Sequence, residues 1–121
     1  MSDAIALACN ALVKPFEGYH RRLADGNCQA YSDPGTGAEP WTIGYGSTGP
    51  GIAPGTIWTA AQAENALQAD LARFEAGVVN LSPSIVREPA RRLAALISFS
   101  YNCGLGNYRI STLRKRVIAS D

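Results

Sequence analysis

The sequence predicts an α+β fold: an N-terminal helix, a small irregular antiparallel sheet, and then a series of helices. Three observations lead there. Apolar residues recur at helical spacing up to Pro15, residues 18–57 are dense in glycine and proline, and helical spacing returns at Thr59 and persists nearly to the end. At 121 residues, 46% hydrophobic and 17% charged, the chain is long enough for one packed domain over 1–121 and has neither a disordered nor a membrane composition.

Taking the elements in order, Ser2 or Asp3 is placed to cap a helix running to about Lys14, with Ile5, Ala8, Cys9, Leu12 and Val13 on its apolar face. Pro15, which lacks an N–H and crowds the preceding turn, ends regular helix close by, so the first helix occupies 1–16 and Glu17 stands in its last turn or just beyond. The stretch 17–57 is a β-rich lobe. Asp25-Gly26-Asn27 marks a turn, and short strands fit 28–31 and 41–45. A helical lobe follows over 58–121. Thr59-Ala-Ala-Gln62 matches a capping box, and Ala63, Leu67, Leu71, Phe74 and Val78 continue at helical spacing until Leu81-Ser-Pro83 stops them. A further helix over about 88–102 carries Leu93, Leu96, Ile97 and Tyr101 on one side, with Pro89 at its start and Gly104 at its exit. Ser111 caps a last helix to about residue 119. A helical layer beside a segregated sheet leaves a cleft between them, the usual place for a site.

Composition narrows the chemistry. The formal charge of +1 makes no case for a nucleic-acid partner, although Arg87, Arg91, Arg92, Arg109, Arg114, Lys115 and Arg116 all fall late in the chain. They form either a solvated helix surface or a basic face for an anionic polymer such as cell wall. Cys9, Cys28 and Cys103 lack metal spacing and read as buried thiols, with a Cys9–Cys28 bridge as the alternative in an oxidising compartment. His20 is the sole histidine, reads as a surface residue, and offers no zinc site. The apolar run ending at Val13 is too short for a bilayer, and Asp3 stands where a secretory leader would be basic, so no membrane insertion is expected.

Carboxylates remain, and with ten of them they can be sorted. Asp3 reads as a cap, Glu64 and Glu75 fall on the polar side of the long helix, and Asp70 borders its apolar stripe as a structural ion pair. Glu88 suits a helix start, and Asp121 is terminal. Glu17, Asp25, Asp33 and Glu39 are left around the sheet. Cleaving a glycosidic bond by acid and base takes two carboxyl groups in different surroundings. Glu17, beside Phe16 at a helix end, suits the protonated acid, and Asp33, in a Tyr-Ser-Asp-Pro-Gly turn, suits a solvated base. Surface carboxylates near turns are common, and spacing alone leaves Asp25 and Asp33 as rivals.

The segments Phe16-Glu17-Gly18, Ala30-Tyr31-Ser32-Asp33 and Trp41-Thr42-Ile43-Gly44-Tyr45-Gly46 together resemble the signature of phage-type lysozymes, the muramidases of bacteriophage endolysins. The likeness continues through Thr59-Ala-Ala-Gln-Ala-Glu64, 95–102, Gly104-Leu-Gly106 and Ser111-Thr-Leu-Arg114, in order and along the whole chain. It implies a lysozyme-like fold with Glu17 as acid, Asp33 as partner carboxylate and Thr42 as the hydroxyl that helps hold the attacking water. The downstream Thr42-Ile-Gly alignment favours Asp33 over Asp25, whose Asp-Gly-Asn setting is that of a hairpin tip. Three departures stand out: both gaps, Glu17 to Asp33 and Asp33 to Thr42, are longer than is usual in the family. Ser47 stands where many relatives have histidine, and the chain stops before the further C-terminal helices that relatives usually have. A short lobe is expected to expose apolar surface or to pack against a neighbouring chain.

The resemblance implies hydrolysis of the β-1,4 bond between N-acetylmuramic acid and N-acetylglucosamine in peptidoglycan, with inversion and without a cofactor or metal. Tyr31, Trp41 and Tyr45 are either sugar-stacking walls or core residues. It further implies synthesis in the cytoplasm of an infected bacterium and action on the wall once another protein opens the membrane. Two other readings keep the fold: a lytic transglycosylase, which needs Glu17 but no water-directing carboxylate, and a non-catalytic wall-binding domain, which has no need of Glu17.

Overall fold

The computed structural model describes residues 2–19, 21–32 and 37–119, and for Phe16, Glu17 and Ala119 the backbone alone. The chain forms two compact units, one of residues 14–67 and one that joins 1–13 to 68–121.

In the second of these, Ser2 is the N-cap of α1 (Asp3–Leu7): its hydroxyl accepts from the Ile5 N–H at 3.1 Å and donates to the Glu75 carboxylate at 2.6 Å. Asp3 is therefore the first helical residue and not the cap. The helix then widens into a π-helical stretch, Ala8–Val13, and tightens again in α2 (Lys14–Glu17). Helix thus passes through Pro15 instead of ending there. The wide turn falls just before the proline, where its ring and missing N–H cannot be accommodated by regular i→i−4 bonding. The same widening alters the predicted face. Ile5, Cys9 and Val13, four apart, are buried, while Leu12 is turned out and 39% exposed.

The long helix α3 (Ala60–Leu81) runs through both units. Its capping box forms as the sequence indicates: the Thr59 N–H donates to Gln62 Oε1 at 2.8 Å and the Gln62 N–H to Thr59 Oγ1 at 3.1 Å. Ala63, Leu67, Leu71 and Val78 are fully buried, and Phe74 packs edge-to-face on Tyr101. A 3₁₀ turn, Pro83–Arg87, leads to α4 (Ala90–Cys103), α5 (Leu105–Arg109) and α6 (Thr112–Ala119). Helix α5 lies where the Gly-Leu-Gly segment suggested only a connection. Gly104, at φ 89°, lets the chain leave α4 and re-enter helix at once. Ser111 caps α6 through the Arg114 N–H, 3.0 Å. Val78, Ile85, Leu96 and Tyr108 form the core here, and the buried Tyr108 hydroxyl lies 2.6 Å from Ser82 Oγ. Arg114 donates through Nε to the carbonyl of Leu81, the last residue of α3, and through Nη1 to that of Arg109. Ile110 and Val86 are each 63% exposed, and an apolar groove of about 300 Å³ lies between the 3₁₀ turn, α4 and α6.

In the 14–67 unit, strand β1 (Cys28–Gln29) pairs antiparallel with β2 (Ile57–Trp58), Cys28 opposite Trp58 and Gln29 opposite Ile57. The expected partner, 41–45, is not a strand. It pairs through single bridges, Tyr31 with Thr42 and Ile43 with Ser47, because Gly44 (φ 66°) and Gly46 (φ 102°) turn the chain before a ladder can extend. Gly44 is required on a second count, since a Cβ there would stand 2.9 Å from Ala63 Cβ of α3. Cys28, Ala30, Ile43 and Ala63 are the buried centre, with Tyr19, Trp41, Tyr45, Ile52 and Trp58 packed around them. None of the three cysteines is in a disulfide. Cys9 and Cys28 are buried as expected, but Cys103 is exposed, at the C-terminal end of α4 past its buried stripe.

Candidate active site

Glu17 is the last residue of α2, where the Gly18 N–H closes the turn on the Lys14 carbonyl at 2.9 Å. Its backbone is braced from both sides. On the N-terminal side, the Lys14 ammonium forms an ion pair with Glu64 of α3 and lies 5.6 Å from the centroid of the Tyr45 ring. Glu64, expected on the polar side of α3, is thus half-buried and paired. On the C-terminal side, Tyr19 packs edge-to-face on Tyr45 at 5.4 Å and donates its hydroxyl to the Gly26 carbonyl at 2.9 Å. Burial, together with a hydrogen bond to Cys28, pushes the Tyr19 phenol up to about 12, so it stays a neutral donor. The Arg22 guanidinium covers its ring at 5.1 Å.

The loop beyond Tyr19 closes on itself. Arg22 bridges to Cys28, Leu23 N donates to the Asn27 carbonyl at 2.7 Å, and Asp25 accepts from the Asn27 backbone N–H at 3.0 Å and from its side-chain amide at 3.2 Å. Asp25 is therefore engaged in holding its own turn. Tyr31 and Thr42 exchange both backbone hydrogen bonds, at 2.8 and 2.9 Å, which sets Thr42 directly across from the residue two before Asp33. Thr42 Oγ1 donates to the Pro40 carbonyl at 3.3 Å, and the Glu39–Pro40 bond is cis. Asp33 itself, the Glu17 carboxylate and His20 lie outside the described residues.

Two concavities flank Trp41. One, about 310 Å³, is walled by Arg21, Gln29, Ala30, Tyr31, Ser32 and Trp41; the other, about 200 Å³, by Glu39, Pro40, Trp41, Gly49 and Ile52. Of the three aromatic residues expected to meet sugar, Tyr31 and Trp41 face open space, whereas Tyr45 is spent on Tyr19 and Lys14. Sequence reasoning missed Arg21, Gln29 and Ser32. Arg21 carries no local signal, because its place depends on a left-handed backbone (φ 55°) that sequence patterns assign to glycine or asparagine. Ser47 is buried and bridged to Ile43.

A capped long helix, a minimal two-stranded sheet and a set of short helices make this a lysozyme-like fold. The phage lysozyme family model matches residues 15–121, and the chain belongs to that family. It is 38% identical over 103 residues to the endolysin of Bacillus phage PZA, covering 84% of this chain and 36% of that protein. It is likewise 38% identical over 81 residues to the SAR-endolysin of bacteriophage PS119, covering 66% and 47%. The chain thus spans about a third to a half of the length of these curated relatives. Among solved structures it resembles the muramidase domain of SpmX from Asticaccaulis excentricus (TM-score 0.72, 29% identity, 99% of this chain and 69% of that one). It also resembles the endolysin from Escherichia coli O157:H7 phage FAHEc1 (TM-score 0.71, 32% identity, 98% and 67%).

Proposed function

We propose that the protein is an endolysin-type muramidase, which cuts the β-1,4 bond between N-acetylmuramic acid and N-acetylglucosamine in peptidoglycan with water as acceptor. The observation that carries this reading is the Tyr31–Thr42 bridge. It sets Thr42 opposite Tyr31, which precedes Asp33 by two residues in the sequence, beside an open concavity walled by Tyr31 and Trp41. Glu17 protonates the leaving oxygen. Asp33 takes the proton of the attacking water, and the Thr42 hydroxyl orients that water, with inversion at the anomeric carbon. The engagement of Asp25 within its own turn supports Asp33 for the second role. The names of the related endolysins support action on the bacterial wall. Synthesis in the cytoplasm and release by another protein complete the proposal.

The test is clearing of purified cell walls, with analysis of the sugar ends formed. E17Q is expected to lower the rate by about 100-fold or more, as for loss of a general acid, and the unmutated chain to leave reducing ends. Equal clearing by both proteins would remove Glu17 from the mechanism. Anhydro-sugar ends would make the enzyme a transglycosylase, and no clearing by either would favour a wall-binding role.

A further inference from the structure

We infer that the concavity walled by Arg21, Gln29, Tyr31, Ser32 and Trp41 is a carboxylate-binding site. On the muramidase reading above, it takes the acidic substituent that distinguishes one sugar of the wall glycan from the other. Arg21 is, among the described residues, the sole non-glycine residue with positive φ, at 55°. Such a backbone is strained for a side chain with a Cβ and persists only where its surroundings over-determine it. Here they do. The Arg21 carbonyl accepts from the Gln29 N–H at 3.2 Å, and the next residue is locked twice, by the Arg22–Cys28 bridge and by the stacking of Arg22 on Tyr19. Two adjacent arginines therefore have different fates. Arg22 is spent on an aromatic face, whereas no carboxylate or carbonyl among the described residues pairs with the Arg21 side chain.

The rest of the wall suits the same ligand. Gln29 supplies an amide, Ser32 a hydroxyl and Trp41 an indole N–H, each a donor able to share a carboxylate with a guanidinium. Across Trp41 the second concavity is lined, among the described residues, by Glu39 and by no cation. A glycan lying over Trp41 thus meets the arginine-bearing site on one side only. N-acetylmuramic acid bears a lactyl ether that ends in a carboxyl or in a peptide with further carboxyls, whereas N-acetylglucosamine bears none. Arg21 is accordingly the residue that makes the site prefer wall glycan to a neutral polymer of N-acetylglucosamine.

Binding is measured by titration calorimetry on the E17Q chain, so that no turnover intervenes, with and without R21G or R21K. Glycine is the informative replacement: it removes the guanidinium and relieves the left-handed strain, so its melting temperature is expected to be no lower than the parent's. Four soluble ligands are compared: wall glycan with its peptides, the same stripped to free lactyl carboxyls, the same with all carboxyls amidated, and a neutral N-acetylglucosamine oligomer. R21G is expected to raise Kd about tenfold or more on carboxylate-bearing ligands and to leave the amidated and neutral ones unchanged, with R21K between. An effect confined to peptide-bearing glycan assigns the stem carboxylates, and an effect that persists on stripped glycan assigns the lactyl carboxyl. Equal Kd changes on all four ligands, no change on any, or a parent chain that treats amidated and carboxylate-bearing glycan alike overturns the inference. Failure of the muramidase reading shows separately, as absence of cleavage by the unmutated chain.

Discussion

At the scale of single residues, the site is held by side chains whose partners lie far away in sequence. Tyr19 is the clearest case. Its phenol is raised from 10.0 to about 12 by burial and by Cys28, so the folded chain keeps a proton that the unfolded chain has begun to release above pH 10. In that range the unfolded state binds fewer protons, and stability must fall with pH. The contribution is whole below pH 10 and is lost as pH rises through about 12. Thermal melts between pH 9 and 12 are expected to show a steeper fall in Tm for the parent than for Y19F. Parallel curves would mean that Tyr19 titrates alike in both states. Glu17 and Thr42, the proposed acid and water-holding hydroxyl, are named in the sequence by short motifs. Arg21 is not, since nothing in its neighbours announces a left-handed arginine.

Among the elements, local signals and distant ones separate cleanly. Caps are written within four residues, so Ser2, the Thr59–Gln62 box and Ser111 appear where the sequence puts them. The junction of α3, the 3₁₀ turn and α5 is different in kind. It depends on Ser82 and Tyr108, both fully buried, whose side-chain hydroxyls hydrogen-bond to each other across the core. Removing one partner strands a buried hydroxyl, so S82A is expected to cost about 1–3 kcal/mol in urea unfolding. Y108F alone is expected to cost a similar amount, and the double variant less than the sum by at least about 0.5 kcal/mol. Strict additivity would show that the two hydroxyls act independently.

For the whole molecule, charge is unevenly shared. Residues 83–119 carry Arg87, Arg91, Arg92, Arg109, Arg114, Lys115 and Arg116 against Glu88 alone, while the 14–67 unit carries Glu17, Asp25, Asp33, Glu39 and Glu64 against Lys14, Arg21 and Arg22. Part of the basic set is structural, as Arg114 binds backbone carbonyls and Arg92 pairs with Glu88 at 2.9 Å. Arg109, Lys115 and Arg116 are exposed. They suit attraction to an anionic wall, an effect that salt screens over about 10 Å at 0.1 M. Raising salt from 0.05 to about 0.5 M is expected to slow wall clearing several-fold, and K115E/R116E to flatten that dependence. A variant with an unchanged salt profile would assign these residues to plain solvation of α6.

By itself the sequence determined the long helices α3 and α4, the capping box of α3 and the cap of α6, the buried stripe of α3 and the helix-end address of Glu17. Each of these rests on contacts between residues three or four apart, which a periodic pattern encodes directly. Tertiary structure alone decided that β1 pairs with Ile57–Trp58, that Thr42 faces Tyr31, that Leu12 turns outward and that Arg21 enters the concavity. Those depend on register between distant segments and on one widened helical turn. Two-residue strands among glycines carry too little pattern to specify a partner, so the choice falls to whichever pairing buries Cys28, Ile43 and Ala63 together.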